Sequence, residues 1–133
     1  MTDCIFCKIV AGEIPSHKVY EDDHTLAFLD IFPASEYHTL VIPKKHYVNM
    51  FDIPEGEAVA IMKTIKKIVT LFQSKLGLEN LNVYNNSGAL AQQEVFHIHF
   101  HIVPRFAADK NNQPWIRDQN LREKFTEMLE RLK

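Results

Sequence analysis

The apolar positions of this chain follow two periods, and the switches between them mark out its elements. Lys18 to Glu21 and Thr25 to Asp30 read as two strands of a hairpin, joined by the polar turn Asp22-Asp23-His24. Thr39-Leu40-Val41-Ile42, closed by Pro43, reads as a third strand. From Pro54 the period lengthens: Ala58, Ile61, Met62, Ile65, Ile68, Val69, Phe72 and Leu76 recur every three or four positions, with Lys63, Lys66 and Lys67 opposite. That spacing predicts a long amphipathic helix, with Pro54 at its start and Gly77 just past its end. Asn82 to Tyr84 is a predicted fourth strand, Asn85-Asn86-Ser87-Gly88 a turn, and Val95 to Val103 the fifth and longest strand, stopped by Pro104. Ala107 to Pro114 is polar and irregular. Asp118 to Lys133 then reads as a second amphipathic helix, with Asp118 as cap and Leu121, Phe125, Met128, Leu129 and Leu132 on one side. The fold class that follows is α+β: a five-stranded, mostly antiparallel sheet with one long helix packed on it and a C-terminal helix.

Composition narrows this picture. A chain of 133 residues, 46% hydrophobic, suits one domain over residues 1–133, with its core in about 4–104 and a C-terminal extension over 105–133. The net charge is −2 and Lys and Arg are scattered, so the basic stripe of a nucleic-acid binder is missing. No signal-type segment or long apolar run is evident, which makes a cytoplasmic protein away from membranes the default expectation. A reducing compartment argues against a disulfide between Cys4 and Cys7, which leaves metal binding, redox chemistry or no role for the pair. A thioredoxin-like use needs a preceding strand, and only three residues precede Cys4.

The most informative segment is His97-Ile98-His99-Phe100-His101-Ile102-Val103. On a strand, His97, His99, His101 and Val103 share one face while Phe96, Ile98, Phe100 and Ile102 share the other. A row of imidazoles against a core face points to acid–base, nucleophilic or metal chemistry. One metal cannot collect all three, because His97 and His101 are about 13 Å apart on an extended strand while a zinc–nitrogen bond is about 2 Å. At least one histidine therefore does something else. A nucleophilic imidazole needs one nitrogen open and the other held in a fixed tautomer, and the central histidine is the best-supported candidate. His17, His24 and His38 read as surface histidines in turns or at strand edges.

These residues fit His-φ-His-φ-His-φ-φ, with φ an apolar residue, and the chain resembles the histidine triad family of nucleotide hydrolases and transferases. The blocks Cys4-Ile5-Phe6-Cys7-Lys8-Ile9, Glu13-Ile14-Pro15, Val19-Tyr20-Glu21-Asp22, Leu26-Ala27-Phe28-Leu29-Asp30-Ile31 and His38-Thr39-Leu40-Val41-Ile42-Pro43-Lys44-Lys45-His46 resemble its Hint-like, purine-nucleotide-binding branch in the same order over residues 4 to 104. The resemblance implies hydrolysis of purine nucleoside 5′-phosphoramidates or related nucleotidyl conjugates (AMP or GMP derivatives). In it His99 attacks the α-phosphorus to form a nucleotidyl-histidine, and His101 binds phosphate oxygens. His101 or a bound water would protonate a leaving amine. It also implies a base pocket of Phe6, Ile9, Phe28, Leu29 and Ile31, a ribose acceptor in Asp30, and phosphate contacts from Asn86 and from the backbone around Gln93 to Val95. No cofactor is required for that chemistry. A structural zinc on Cys4, Cys7, His46 and His97 is implied by some bacterial relatives. So is a homodimer, for which Trp115 and the C-terminal segment offer apolar surface.

The chain departs from the family pattern ahead of the triad. Gln92 stands where the family has glycine, and Glu94 occupies a frequent hydroxyl position, so Glu94 is expected to face solvent or the leaving group. A dinucleoside polyphosphate hydrolase and a non-catalytic nucleotide-binding adaptor are the rival readings.

Overall fold

In the computed structural model, which describes residues 3–107 and 117–133, the strands form one antiparallel sheet. The strands are β1 (Lys18–Glu21), β2 (Thr25–Leu29), β3 (Thr39–Pro43), β4 (Leu81–Asn85) and β5 (Phe100–Pro104), and their spatial order is β1-β2-β3-β5-β4. The helices are α1 (Ile5–Val10), α2 (Glu55–Leu76) and α3 (Phe125–Arg131), with short 3₁₀ turns at Ala89–Ala91 and Gln119–Lys124.

β2 and β3 are buried along their whole length because both faces of the sheet are covered. Ala27, Leu29, Val41 and Ile102 face α2 and pack with Ile61, Ile65, Ile68 and Phe72. Leu26, Phe28, Leu40 and Ile42 face the other way and pack with Phe6 of α1. The pairing Leu40↔His101 puts His101 beside this second cluster. α2 runs as its pattern predicts: Pro54 caps it, and Gly77 ends it at φ 66°, its N–H donating to the Gln73 carbonyl. Within its stripe, Met62 is 54% exposed and Thr64 is buried in its place, its hydroxyl 2.6 Å from that of Thr25. A hydroxyl can sit in the core when a partner waits there.

Three expectations need correction. The fifth strand begins at Phe100 rather than Val95. Residues 95–99 peel away from the sheet onto the chain after β3: the Ile98 N–H donates to the Tyr47 carbonyl at 2.7 Å and Gln93 Nε2 to Val48 O at 2.6 Å. The C-terminal helix is split, with a 3₁₀ turn capped by the Asp118 carboxylate before α3. Asn85 belongs to β4 rather than to a turn. α1 is an element the periodicity does not reveal; six residues are too few to show a helical repeat. Trp115 and Ala107 to Pro114 fall outside the described residues except for Ala107.

Candidate active site

α1 starts on Cys4, whose Sγ accepts the Cys7 N–H at 3.3 Å, so one helical turn brings both thiols to the same side. Against them lie His46, just after β3, and His97. Cys4 Sγ to His97 Nδ1 is 3.4 Å, Cys7 Sγ to His46 Nδ1 3.4 Å, and Cys7 Sγ to His97 Nδ1 3.5 Å. Bond lengths for tetrahedral zinc place its sulfur and nitrogen ligands about 3.5 Å apart, so the donor set fits such an ion. His97 Nε2–H donates to the Pro43 carbonyl at 2.9 Å, which leaves its Nδ1 lone pair facing the sulfurs. Burial holds the His97 ring neutral, its pKa lowered to about 4 despite that hydrogen bond. Burial and the nearby Cys4 raise the Cys7 thiol to about 11.

Two residues on, the His99 ring turns back on its own chain: Nδ1–H donates to the His97 carbonyl at 2.9 Å. Its lone pair is therefore on Nε2. The His99 carbonyl in turn accepts Asn85 Nδ2–H at 3.1 Å, fixing the backbone that carries the ring. Burial lowers the His99 pKa, only partly offset by its bond to the His97 carbonyl, so the ring is neutral and can attack as a base or nucleophile.

His38 is buried, not on the surface, and completes a relay. The pairing Leu29↔Thr39 and the Asp30 N–H to His38 carbonyl bond at 2.9 Å carry it inward past the end of β3. The Ala34 N–H donates to His38 Nδ1 at 2.8 Å, and a backbone N–H can only donate. The His38 proton thus sits on Nε2 and is directed at His101 Nδ1, 3.0 Å away. His101 then carries its own proton on Nε2. Burial keeps both rings neutral, His38 at about 4 and His101 at about 2, the latter also depressed by its neighbour His38. Asp30 Oδ2 lies 3.4 Å from His38 Nε2 and 3.8 Å from His101 Nδ1, while its Oδ1 accepts the Phe32 N–H at 2.8 Å. The strand position of His38, two residues ahead of the inward-facing Leu40, was the signal for its burial. His17 and His24 are exposed, as expected.

A cavity of about 210 Å³ joins these groups. Its apolar wall is Ile5, Phe6, Ile9, Phe28, Leu29, Ile31 and Val95; Asp30, Asn86, Glu94, His99, His101 and Arg117 supply the polar lining. Phe6 stacks edgewise on His97 at 5.8 Å and on His99 at 5.2 Å, so one ring separates the sulfur cluster from the cavity. Glu94 is exposed at the cavity lining. Gln93 is buried and its side chain is fully engaged with Val48, Val95, Gly88 and Asn49, which leaves its backbone for any ligand contact. Gln92 sits at φ 72°, a left-handed conformation that accounts for the glycine expected there.

The family profile described as HIT domain matches residues 11–108 of this chain. The chain belongs to the HIT family. An uncharacterised HIT-like protein of Methanocaldococcus jannaschii is 53% identical over 106 residues, which cover 80% of this chain and 81% of that relative. The adenosine 5′-monophosphoramidase of Schizosaccharomyces pombe is 46% identical over 102 residues, covering 77% of this chain and 74% of the yeast protein. The crystal structure of a zinc-bound histidine triad family protein from Mycobacterium smegmatis superimposes with a TM-score of 0.84 at 36% identity, covering 98% and 94% of the two chains. The five-stranded antiparallel sheet, the long helix and the C-terminal helix are those of a HIT fold. No helix among the described residues of this HIT chain is long and apolar enough to cross a membrane.

Proposed function

We propose that this chain is a hydrolase of nucleoside 5′-monophosphate derivatives, with purine nucleoside phosphoramidates as its substrates, working through a covalent nucleotidyl-histidine on His99. The observation that carries this reading is the pair of opposed tautomers: a lone pair on His99 Nε2 beside a proton on His101 Nε2, at one cavity. In the first step His99 Nε2 attacks the α-phosphorus, the bond from phosphorus to the leaving amine breaks, and the amine departs with a proton from the His101 side. His101 Nε2–H donates to phosphate oxygens as charge builds on them. Water then attacks the same phosphorus and gives a proton back to the His101 side, the phosphorus–His99 bond breaks, and the nucleoside monophosphate leaves. Phe6, Ile9, Phe28 and Ile31 hold the base, Asp30 accepts ribose hydroxyls, and Asn86 with the backbone of Gln93 to Val95 meets the phosphate. The activity named for the yeast relative supports this assignment.

Cys4, Cys7, His46 and His97 hold a structural zinc in this reading. Four protein ligands leave no open coordination position, so the ion would cross-link α1 to the segment after β3 and the segment leading into β5 and take no part in the steps above. The chain works as a homodimer, for which exposed Val59 and Met62 on α2 and Val83 on the edge strand β4 supply apolar surface. Sedimentation at micromolar concentration tests that, and a monomer rules it out.

Rapid quench with adenosine phosphoramidate followed by intact mass measurement tests the mechanism. Wild type gains one adenylyl group on His99, and His99→Ala gains none and turns over at least about 10³-fold more slowly. A fully active His99→Ala ends the proposal, and faster turnover of diadenosine tetraphosphate moves the substrate to the polyphosphate class.

A further inference from the structure

Beyond the matched domain, the chain returns to the cavity at Arg117. The Arg117 guanidinium lies 3.6 Å from Asp30 Oδ2 and donates through Nη1 to the Phe32 carbonyl. The Asp118 N–H donates to the Pro33 carbonyl at 2.6 Å, and Arg122 Nε donates to the Ile31 carbonyl. Both guanidinium groups also lie over the Phe32 ring, at 5.9 and 4.8 Å from its centre. Every carbonyl from Ile31 to Pro33 is thus taken by the segment 117–122, and these residues directly follow Asp30. Among the described residues, Arg117 is the only lysine or arginine within ion-pair distance of Asp30. The Asp30 side chain is 7% exposed, and a carboxylate that buried needs a cation or hydrogen-bond donors beside it. The two imidazoles beside it are neutral and supply no positive charge.

We propose that Arg117 is a positioning residue that fixes the Asp30 carboxylate for charge-assisted hydrogen bonds to ribose hydroxyls, so that the C-terminal segment sets the preference for ribonucleotide over 2′-deoxyribonucleotide substrates. The inference rests on the reading of Asp30 as ribose acceptor. Oδ1 accepts the Phe32 N–H, Oδ2 lies at ion-pair distance from Arg117 and 3.4 Å from His38 Nε2, and the remaining lone pairs of the carboxylate are left to accept hydroxyls. Bonds from hydroxyls to a charged acceptor discriminate against an analogue lacking the hydroxyl by roughly ten- to a hundredfold.

The test compares kcat/KM for adenosine phosphoramidate and its 2′-deoxy analogue in the full-length protein. In wild type the ribose substrate leads by at least about tenfold. In Arg117→Gln that ratio falls below about threefold, through KM on the ribose substrate with kcat within about twofold, and Arg117→Lys restores most of it because the charge returns. Asp30→Asn abolishes the ratio as well. If Arg117→Gln slows both substrates equally, or if lysine restores nothing, the segment is only a brace and the proposal falls. Loss of the ratio in Asp30→Asn with full retention in Arg117→Gln overturns the role of Arg117 alone. Retention in both overturns the ribose assignment itself. Thermal melts of both Arg117 variants within about 2 °C of wild type show that the fold is intact.

Discussion

Two clusters of ligand-bearing side chains lie on the same face of the sheet, Cys4-Cys7-His46-His97 and Asp30-His38-His101, each compact enough to hold a metal ion. What distinguishes them is the backbone group at each imidazole. His97 gives its proton to a carbonyl, and its lone pair is left facing two sulfurs. His38 receives a proton from an amide, and its remaining proton is aimed at the next ring. In the first cluster two imidazole lone pairs meet two thiols, groups that a metal ion can take over by displacing the thiol protons, whereas in the second an N–H bond already joins the two rings. The same side chain becomes a metal ligand or a proton relay according to whether a C=O or an N–H meets it.

The largest effect comes from breaking the sulfur cluster. The double variant Cys4→Ser/Cys7→Ser loses its zinc by elemental analysis, from about one per chain to none, and its melting temperature falls by about 10 °C or more. KM for nucleotide rises more than kcat falls, because Ile5, Phe6 and Ile9 of α1 line the cavity. Zinc retained at full occupancy by that variant would put the ion in the carboxylate cluster and erase the distinction.

Next is the relay. His38→Asn cannot reach His101 and lowers kcat about 100-fold, whereas His38→Gln, whose amide N–H falls near the lost Nε2–H, recovers part of the rate. The same variant sharpens the acid response. Burial lowers the His38 pKa from 6.5 to about 4 in the fold, so between those values the unfolded chain binds the extra proton and stability falls as the pH falls. His38→Asn makes that fall shallower by about 1.4 kcal/mol per pH unit in denaturant titrations at pH 6 and 5. An unchanged slope would mean that His38 is not buried neutral. The smallest effect is local: Gln92→Gly relieves a left-handed φ of 72° and raises stability by about 1 kcal/mol with no change in zinc content.

How much of this could be read from sequence depended on the range of the interaction. α2 was legible from one end to the other because its stripe repeats over 22 residues and its ends carry Pro54 and Gly77. The hairpin β1–β2 was legible from its polar turn. The start of β5 was not, because the alternation of His97 and His99 survives in a segment that has left the sheet to follow residues 43–48. His38 reads as a strand-edge residue because it stands just before β3, yet its alternation with Leu40 and Ile42 continues the inward face. Residue type and order single out Cys4, Cys7, His46, His97 and His99, and the fold brings the first four together and sets His99 at the cavity. Arg117 was not legible: its approach to Asp30 spans most of the domain and leaves no local pattern.

The Gln93 side chain also bears on how freely this protein can vary. Its amide sends two N–H bonds to the Val48 and Val95 carbonyls and accepts two from Gly88 and Asn49, so the β3–α2 and β4–β5 connections are set at fixed spacing by a single planar group. No other side chain offers two donors and two acceptors at that reach: glutamate faces two carbonyls with a negative charge, and asparagine is one methylene short. In a saturation library the position should therefore accept its own residue almost alone.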